Sequence, residues 1–181
     1  YTQSGSISLL RDGSVIIDDP FIKKHTCEPK GRRGSCFDEL RSKAIEEGGF
    51  QQIFAGGNGQ YGALKKDGSL VMIGYTGWMP GEEMWAILDR DIARAGENNQ
   101  PQIEEKNWWL NQKNTIETLL NPPSKIIDVQ FNYASGGAKL ENGQILTWGH
   151  GSYQKELCER FGGSVDYGKP YYVNGGTNCK N

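Results

Sequence analysis

The chain has 181 residues, 36% of them hydrophobic and 23% charged, with 25 glycines and a formal net charge of -2. That length and composition support a folded core and exclude a disordered chain, and the slightly acidic balance argues against general nucleic-acid binding. No apolar run reaches the roughly 20 residues needed to cross a bilayer.

The chain starts at Tyr1 rather than Met and carries no charged-then-apolar leader, the pattern expected of a processed chain or excised fragment whose targeting segment is already removed. Residues 4–17 alternate apolar and polar positions (Ile7, Leu9, Val15, Ile17) around Asp12-Gly13 and predict a first β-hairpin unit. A loop follows in which Lys23, Lys24, Lys30, Arg32 and Arg33 face one acid, Glu28, for a local charge of +4. FDELRSKAIEE (37–47) reads as a short helix with Phe37, Leu40 and Ala44 on one face, stopped by Gly48-Gly49.

A second hairpin unit spans 50–74 and turns at Asp67-Gly68. Residues 80–121 predict a helical insertion. Pro80, Glu82 and Glu83 suit a helix start, Met84, Trp85, Leu88 and Ile92 recur at helical spacing, and Gly96 closes that helix. A second helix runs from about Pro101 to Leu120, with NQKN (111–114) a weak middle and Asn121-Pro122-Pro123 its end. Trp85 and Trp109 fall in helical phase with the core, whereas Trp78 and Trp108 are candidates for exposure. Between residues 81 and 105 seven acids meet two bases, a net of -5.

The third hairpin unit spans 125–149 and turns at Asn142-Gly143, the strongest short-range hairpin signal, which predicts a two-residue type I′ turn with φ > 0 at both residues. A last helix over 152–163 leads into a glycine-tyrosine tail, so that 152–181 forms the C-terminal helix and tail. The expected fold is α+β, mainly β with helical insertions. Three hairpin units pack together in one domain (1–181), are covered by short helices, and do not close into a propeller. A hairpin alone is marginal, so such units need each other or the helices.

The four cysteines fall as two local pairs; of the three possible connectivities Cys27–Cys36 with Cys158–Cys179 is the expected disulfide set, and four buried free thiols are the alternative. In the chain-entropy model each such loop stabilises by roughly 2.5–3.5 kcal/mol, and disulfides imply an oxidising compartment such as the secreted space, the cell surface or an organelle lumen. No C-x-x-C occurs and the histidines are His25 and His150, so the cysteines do not read as a zinc site, and no metal or cofactor is expected.

The recurring pattern resembles repeats of the regulator of chromosome condensation family, carried by Ile53, Ala63, Leu64, Asp67, Gly68, Leu70 and Gly74. It recurs in Val129, Ala138, Asn142, Gly143, Ile145, Trp148 and Gly149, and in outline in Asp12, Gly13 and Val15. It is similar also to compact hairpin repeats of dinoflagellate proteins and of intimin/invasin-type bacterial surface proteins. Family propellers close with about seven blades, and propellers generally need at least four. Three units, irregularly spaced and interrupted by helices, depart from that.

Gly57-Asn58-Gly59-Gln60-Tyr61-Gly62 matches a dinucleotide fingerprint, but the hairpin turn at Asp67-Gly68 leaves no room for the helix that cradles a pyrophosphate, so the glycines read as an inter-strand break. Asp18-Asp19 and Glu82-Glu83 read as solvated charge and His150 as a loop residue. These features point away from catalysis and towards a non-enzymatic protein-interaction module, an accessory or extrinsic subunit of a larger assembly. The alternatives are a surface adhesin tip for a glycan or receptor, an extrinsic subunit of a dinoflagellate-type photosynthetic complex, and, last, an enzyme. Candidate contacts are the basic loop, suited to a protein, an anionic glycan or a lipid headgroup, and the tryptophans Trp78 and Trp108. If the basic loop binds, Arg32→Ala with Arg33→Ala weakens partner affinity and flattens its dependence on salt in a titration series; affinity unchanged at every salt concentration removes the loop from consideration.

Overall fold

The computed structural model describes residues 5–20, 39–74, 81–96, 99–165 and 179–180. Among these residues ten strands form four small antiparallel sheets, with four helices and no closed barrel, a mixed α+β fold. Strands β1 (Ser6–Leu9) and β2 (Val15–Asp18) pair alone; β3 (Phe50–Gly56), β4 (Gln60–Lys65) and β5 (Leu70–Gly74) form one three-stranded sheet, and β6 (Ile126–Phe131), β7 (Ser135–Leu140) and β8 (Ile145–Gly149) another. Helix α1 (Glu39–Glu46) precedes β3, α2 (Glu82–Ala95) and α3 (Gln100–Leu120) lie between the two larger sheets in sequence, and α4 (Gly151–Arg160) follows β8. Short strands β9 (Ser164–Val165) and β10 (Cys179–Lys180) pair at the C-terminal end.

One turn recurs three times. In the first, the Leu10 N–H donates to Ser14 O at 2.9 Å and the Gly13 N–H to Leu10 O at 3.0 Å, with Gly13 at φ 85°. Lys65, Gly68 and Ser69 repeat these bonds, as do Leu140, Gly143 and Gln144, with Gly68 at 89° and Gly143 at 90°. This is a three-residue loop closed by a glycine bulge, not the expected type I′ pair. The physical reason lies in the preceding side chain. Oδ1 of Asp12, Asp67 and Asn142 each accepts the amide two residues on, at 2.9, 2.9 and 3.0 Å, and glycine alone supplies the left-handed step. Consecutive positive φ values do occur at Asn58 (58°) and Gly59 (70°), where β3 turns into β4.

Strand registers repeat as well. The pairs Ile7↔Ile17, Gly62↔Met72 and Gly137↔Thr147 are equivalent, and both larger sheets carry an irregularity early in their first strand, at Phe50/Gln52 and at Ile126/Asp128.

The strands stack in layers. Ile7, Leu9, Val15 and Ile17 lay the first hairpin on Tyr61, Ala63, Val71 and Ile73 of the second sheet. The opposite face of that sheet, through Leu64, Leu70 and Met72, meets Ala138, Leu140, Leu146 and Trp148 of the third, with Phe54, Val129 and Phe131 alongside. Beyond it, Leu157 and Phe161, at the end of α4, cover Ile145. Hence β4, β5 and β8 are buried at every position, where a one-sided sheet would alternate.

Glycine makes the close approach possible. Gly136 is the cross-strand partner of Trp148, and a Cβ there would lie 2.3 Å from the indole, so the ring rests flat against backbone. Phe131 sits likewise on Gly56 and Gly62, where a Cβ would meet its atoms at 2.7 and 3.0 Å.

The helices refine three expectations. On α1 the inward residues are Arg41, Ala44 and Ile45, and Leu40 is 58% exposed, because the second sheet lies across the 41/44/45 face. Helix α3 runs unbroken through 111–114, where Gln112 is buried, as are Thr115 and Ile116 just beyond, and Lys113 pairs with Glu117 at 3.8 Å. Helix α4 ends in a Schellman motif, the Gly163 N–H reaching Cys158 O and the Gly162 N–H reaching Glu159 O. There the expected Cys158–Cys179 disulfide forms, and a Cβ on Gly163 would lie 2.6 Å from Cys179 Sγ. Gly136→Ala should lower the unfolding free energy read from urea titration by roughly 1–3 kcal/mol through overpacking and shift the emission of Trp148. Unchanged stability and emission would contradict this packing.

Candidate interaction surface

Helices α2 and α3 carry a dense apolar stripe that the sheets cover only in part. On α2, Leu88 is buried, whereas Met84, Trp85, Ile87 and Ile92 are half-buried. On α3 the buried residues are Gln112, Thr115, Ile116 and Leu119, all in its second half, which packs on β5 and β8. Its first half instead meets α2, joined there by an ion pair from Lys106 to Asp89, and carries Ile103, Trp108, Trp109 and Leu110 without burying any of them completely. Trp108 packs edge-on against Trp109, ring centroids 4.4 Å apart and planes at 73°, and Leu110 is 38% exposed. Trp85 and Trp109, expected in the core, are therefore half-buried; among the described residues the fully buried tryptophan is Trp148.

Gln112 holds this helix to the sheets. Its Oε1 accepts the Gly149 N–H at 3.3 Å and its Nε2 donates to Gly149 O at 3.4 Å. That carbonyl also receives Gln154 Nε2 at 2.5 Å, while Gln154 Oε1 accepts the Thr147 hydroxyl. A buried amide left without such a partner costs about 1–3 kcal/mol. Gln112 had a readable signal: it falls on the 109, 112, 116, 119 stripe of α3, where a polar residue among apolar ones marks a buried hydrogen bond.

At one end of the stack, the loops after β3 and β6 meet. Gln60 Nε2 donates to Asn132 O at 3.1 Å and Tyr133 O at 2.6 Å, binding the two sheets together. Tyr133, 50% exposed, lies 5.9 Å from the Tyr153 ring, which lies 5.8 Å from His150, so three aromatic rings share an open patch. The Gly57–Gly62 stretch forms this turn and the start of β4, with no helix at its glycines. Asp18 is exposed, but Asp19, expected in solvent, is buried and accepts the Tyr61 hydroxyl at 2.7 Å, a link between the first hairpin and the second sheet.

Of the residues singled out by sequence, Lys23, Lys24, Lys30, Arg32, Arg33, Trp78, His25 and the Cys27–Cys36 pair lie outside the described residues. Trp108 and Cys158–Cys179 lie within them, the first on α3 and the second at the end of α4. Among the described residues no three His, Cys, Asp or Glu side chains gather as a metal site, and no helix is long and apolar enough to cross a membrane.

A cleft of about 300 Å³ opens beside the second turn, lined by Asp67, Ser69, Leu120, Asn121, Pro122, Ser124 and Lys125. Its carboxylate is already engaged: Asp67 Oδ1 accepts both the Ser69 hydroxyl, at 2.6 Å, and the Ser69 amide. These bonds, the hydroxyl foremost, hold the Asp67 carboxyl below its ordinary value, as Ser14 does for Asp12. Comparison of the chain with family models, curated proteins and solved structures returned no match.

A depressed carboxyl in the folded state adds stability that is present above the ordinary value of 3.8 and is lost as pH falls through the lower folded value. Asp67→Asn keeps the amide acceptor, as Asn142 does, and cannot protonate. Urea midpoints compared at about pH 5 and about pH 2 should therefore fall further for the native chain than for the variant. Equal falls would show that the Ser69 bonds do not favour the charged form.

Proposed function

We propose that this chain is a non-enzymatic interaction module, an accessory subunit of a larger assembly, in which copies of one hairpin unit form a stacked scaffold that presents α2 and α3 to a protein partner. The observation that carries this reading is the division of α3. Its buried residues begin at Gln112, yet Ile103, Trp108, Trp109 and Leu110 lie before that point and are incompletely covered. Partly exposed tryptophan beside leucine on a helix held by a second helix is the chemistry of an interface anchor.

The three equivalent turns and the repeated register support common descent of the hairpins from one unit, and with it the resemblance to regulator of chromosome condensation repeats. The Cys158–Cys179 bond fits an oxidising compartment. A second reading, glycan binding by an adhesin, draws on the Tyr133–Tyr153–His150 patch, since sugars stack on open aromatic faces.

A photo-reactive residue at exposed position 107 of the full chain, beside an intact Trp108, irradiated in extract from the source cells, should give one discrete adduct. Unlabelled native chain should compete it away. A competitor carrying Trp108→Ala and Leu110→Ser should need about 30-fold more, the loss expected for an anchor worth at least about 2 kcal/mol. Equal competition by both chains, or equal labelling from position 113 on the exposed side of α3, overturns the reading. A glycan-array signal lost with Tyr133→Ala and untouched by the α3 changes would favour the adhesin instead.

A further inference from the structure

Three tyrosines lie among the described residues, and their settings differ. Tyr61 is fully buried and its hydroxyl is committed to Asp19 at 2.7 Å. Tyr133 is 50% exposed and Tyr153 half-buried, and their rings lie 5.9 Å apart at 49°, within the contact range of aromatic pairs. Neither of these two hydroxyls is hydrogen-bonded among the described residues.

The surrounding main chain holds the two rings in place. Asn132, the residue before Tyr133, donates through Nδ2 to Tyr153 O at 2.8 Å, and its Oδ1 accepts the Ser135 N–H at 3.0 Å. Gln60 Nε2 donates to Tyr133 O at 2.6 Å, and one edge of the Tyr133 ring rests on Gly57, where a Cβ would lie 3.0 Å from Cδ2. Tyr153 stands in the first turn of α4, its N–H donating to His150 O at 3.1 Å, while the His150 N–H donates to Ala134 O at 3.0 Å. Two phenols on different elements, a loop and a helix, therefore meet at a set separation before any reaction begins.

Adjacent phenols share one reaction. A one-electron oxidant takes an electron and a proton from each ring and leaves two phenoxyl radicals. These join through carbons ortho to their oxygens, forming one C–C bond, and each ring recovers its aromaticity when the ortho C–H proton moves to the phenolic oxygen. The net change is the loss of two hydrogen atoms, which leave in two waters when hydrogen peroxide is the terminal oxidant. Holding the rings side by side also selects the partner, because the second phenol is present at an effective concentration far above that of another chain.

We infer that Tyr133 and Tyr153 form a site of oxidative cross-linking, a dityrosine that fastens the first turn of α4 to the loop after β6 when the chain meets a peroxidase-type one-electron oxidant. The link completes on one helix what the cysteines begin. Cys158, in the last turn of α4, is bonded to Cys179 of β10, and a compartment oxidising enough to keep that bond suits the tyrosine link as well. The site uses no residue of α2 or α3 and stands whether or not those helices bind a partner.

The full chain, dilute enough that encounters between chains are rare, is irradiated with a ruthenium photosensitiser and persulfate, both folded and unfolded in urea. Each persulfate accepts two electrons and becomes two sulfates. Trypsin then separates the rings, since peptide 126–139 holds Tyr133 and peptide 140–155 holds Tyr153. The folded monomer should yield these peptides joined, two hydrogen atoms lighter than their sum, at least about tenfold more than the unfolded chain, whose phenols are not held together. In Tyr133→Phe, peptide 140–155 should be recovered unlinked. No joined peptide from the folded monomer, equal yields from folded and unfolded chains, joining found between chains only, or Tyr153 linked as readily to another tyrosine once Tyr133 is replaced each overturns the inference.

Discussion

Burial of both faces of β4 and of β7 is the condition on which the other elements stand. A strand pair has one apolar face too many for solvent, and a three-stranded sheet this small cannot hide that face by curling. Here the difficulty is met by stacking: hairpin on sheet, sheet on sheet, and the end of α4 on the last sheet. The layers approach closely because glycine stands under the largest rings, at Gly136 below Trp148 and at Gly56 and Gly62 below Phe131. Polar bonds then register one layer against the next, through Tyr61 to Asp19 and through Gln60 to the Asn132 and Tyr133 carbonyls.

What the amino-acid order makes legible is local. Asp-Gly and Asn-Gly between alternating runs locate the three hairpins because turn chemistry acts over four or five residues. The type of turn departs from expectation for a reason equally local: the Asx side chain claims the amide two residues on, and only the glycine enters the left-handed region. Helices α2 and α3 are visible in their periodicity, and the weak 111–114 stretch persists because Gln112 is bonded to Gly149 rather than exposed.

The rest depends on neighbours distant in sequence. That Leu40 faces solvent and Arg41 the interior follows from where the second sheet lies, which no window around α1 contains. Asp19 reads as surface charge until Tyr61, 42 residues away, supplies a donor. Helical phase places Trp85 and Trp109 inward correctly relative to their own helices. It cannot tell that the first half of α3 has only another helix to face. Trp108 stands out in the sequence by its position beside Trp109, and the structure adds why the pair matters: their side of the helix is where coverage stops.

The excursion through α2 and α3 leaves from β5 and returns to β6, so in topology it is a loop between adjacent layers. Yet its second helix lies along β5 and β8, the terminal strands of their sheets. It therefore acts as a guard rail. Excising the excursion to obtain a minimal scaffold would bare two lengths of unpaired main chain on the same side of the stack, and molecules trimmed in that way would tend to zip together into ribbons.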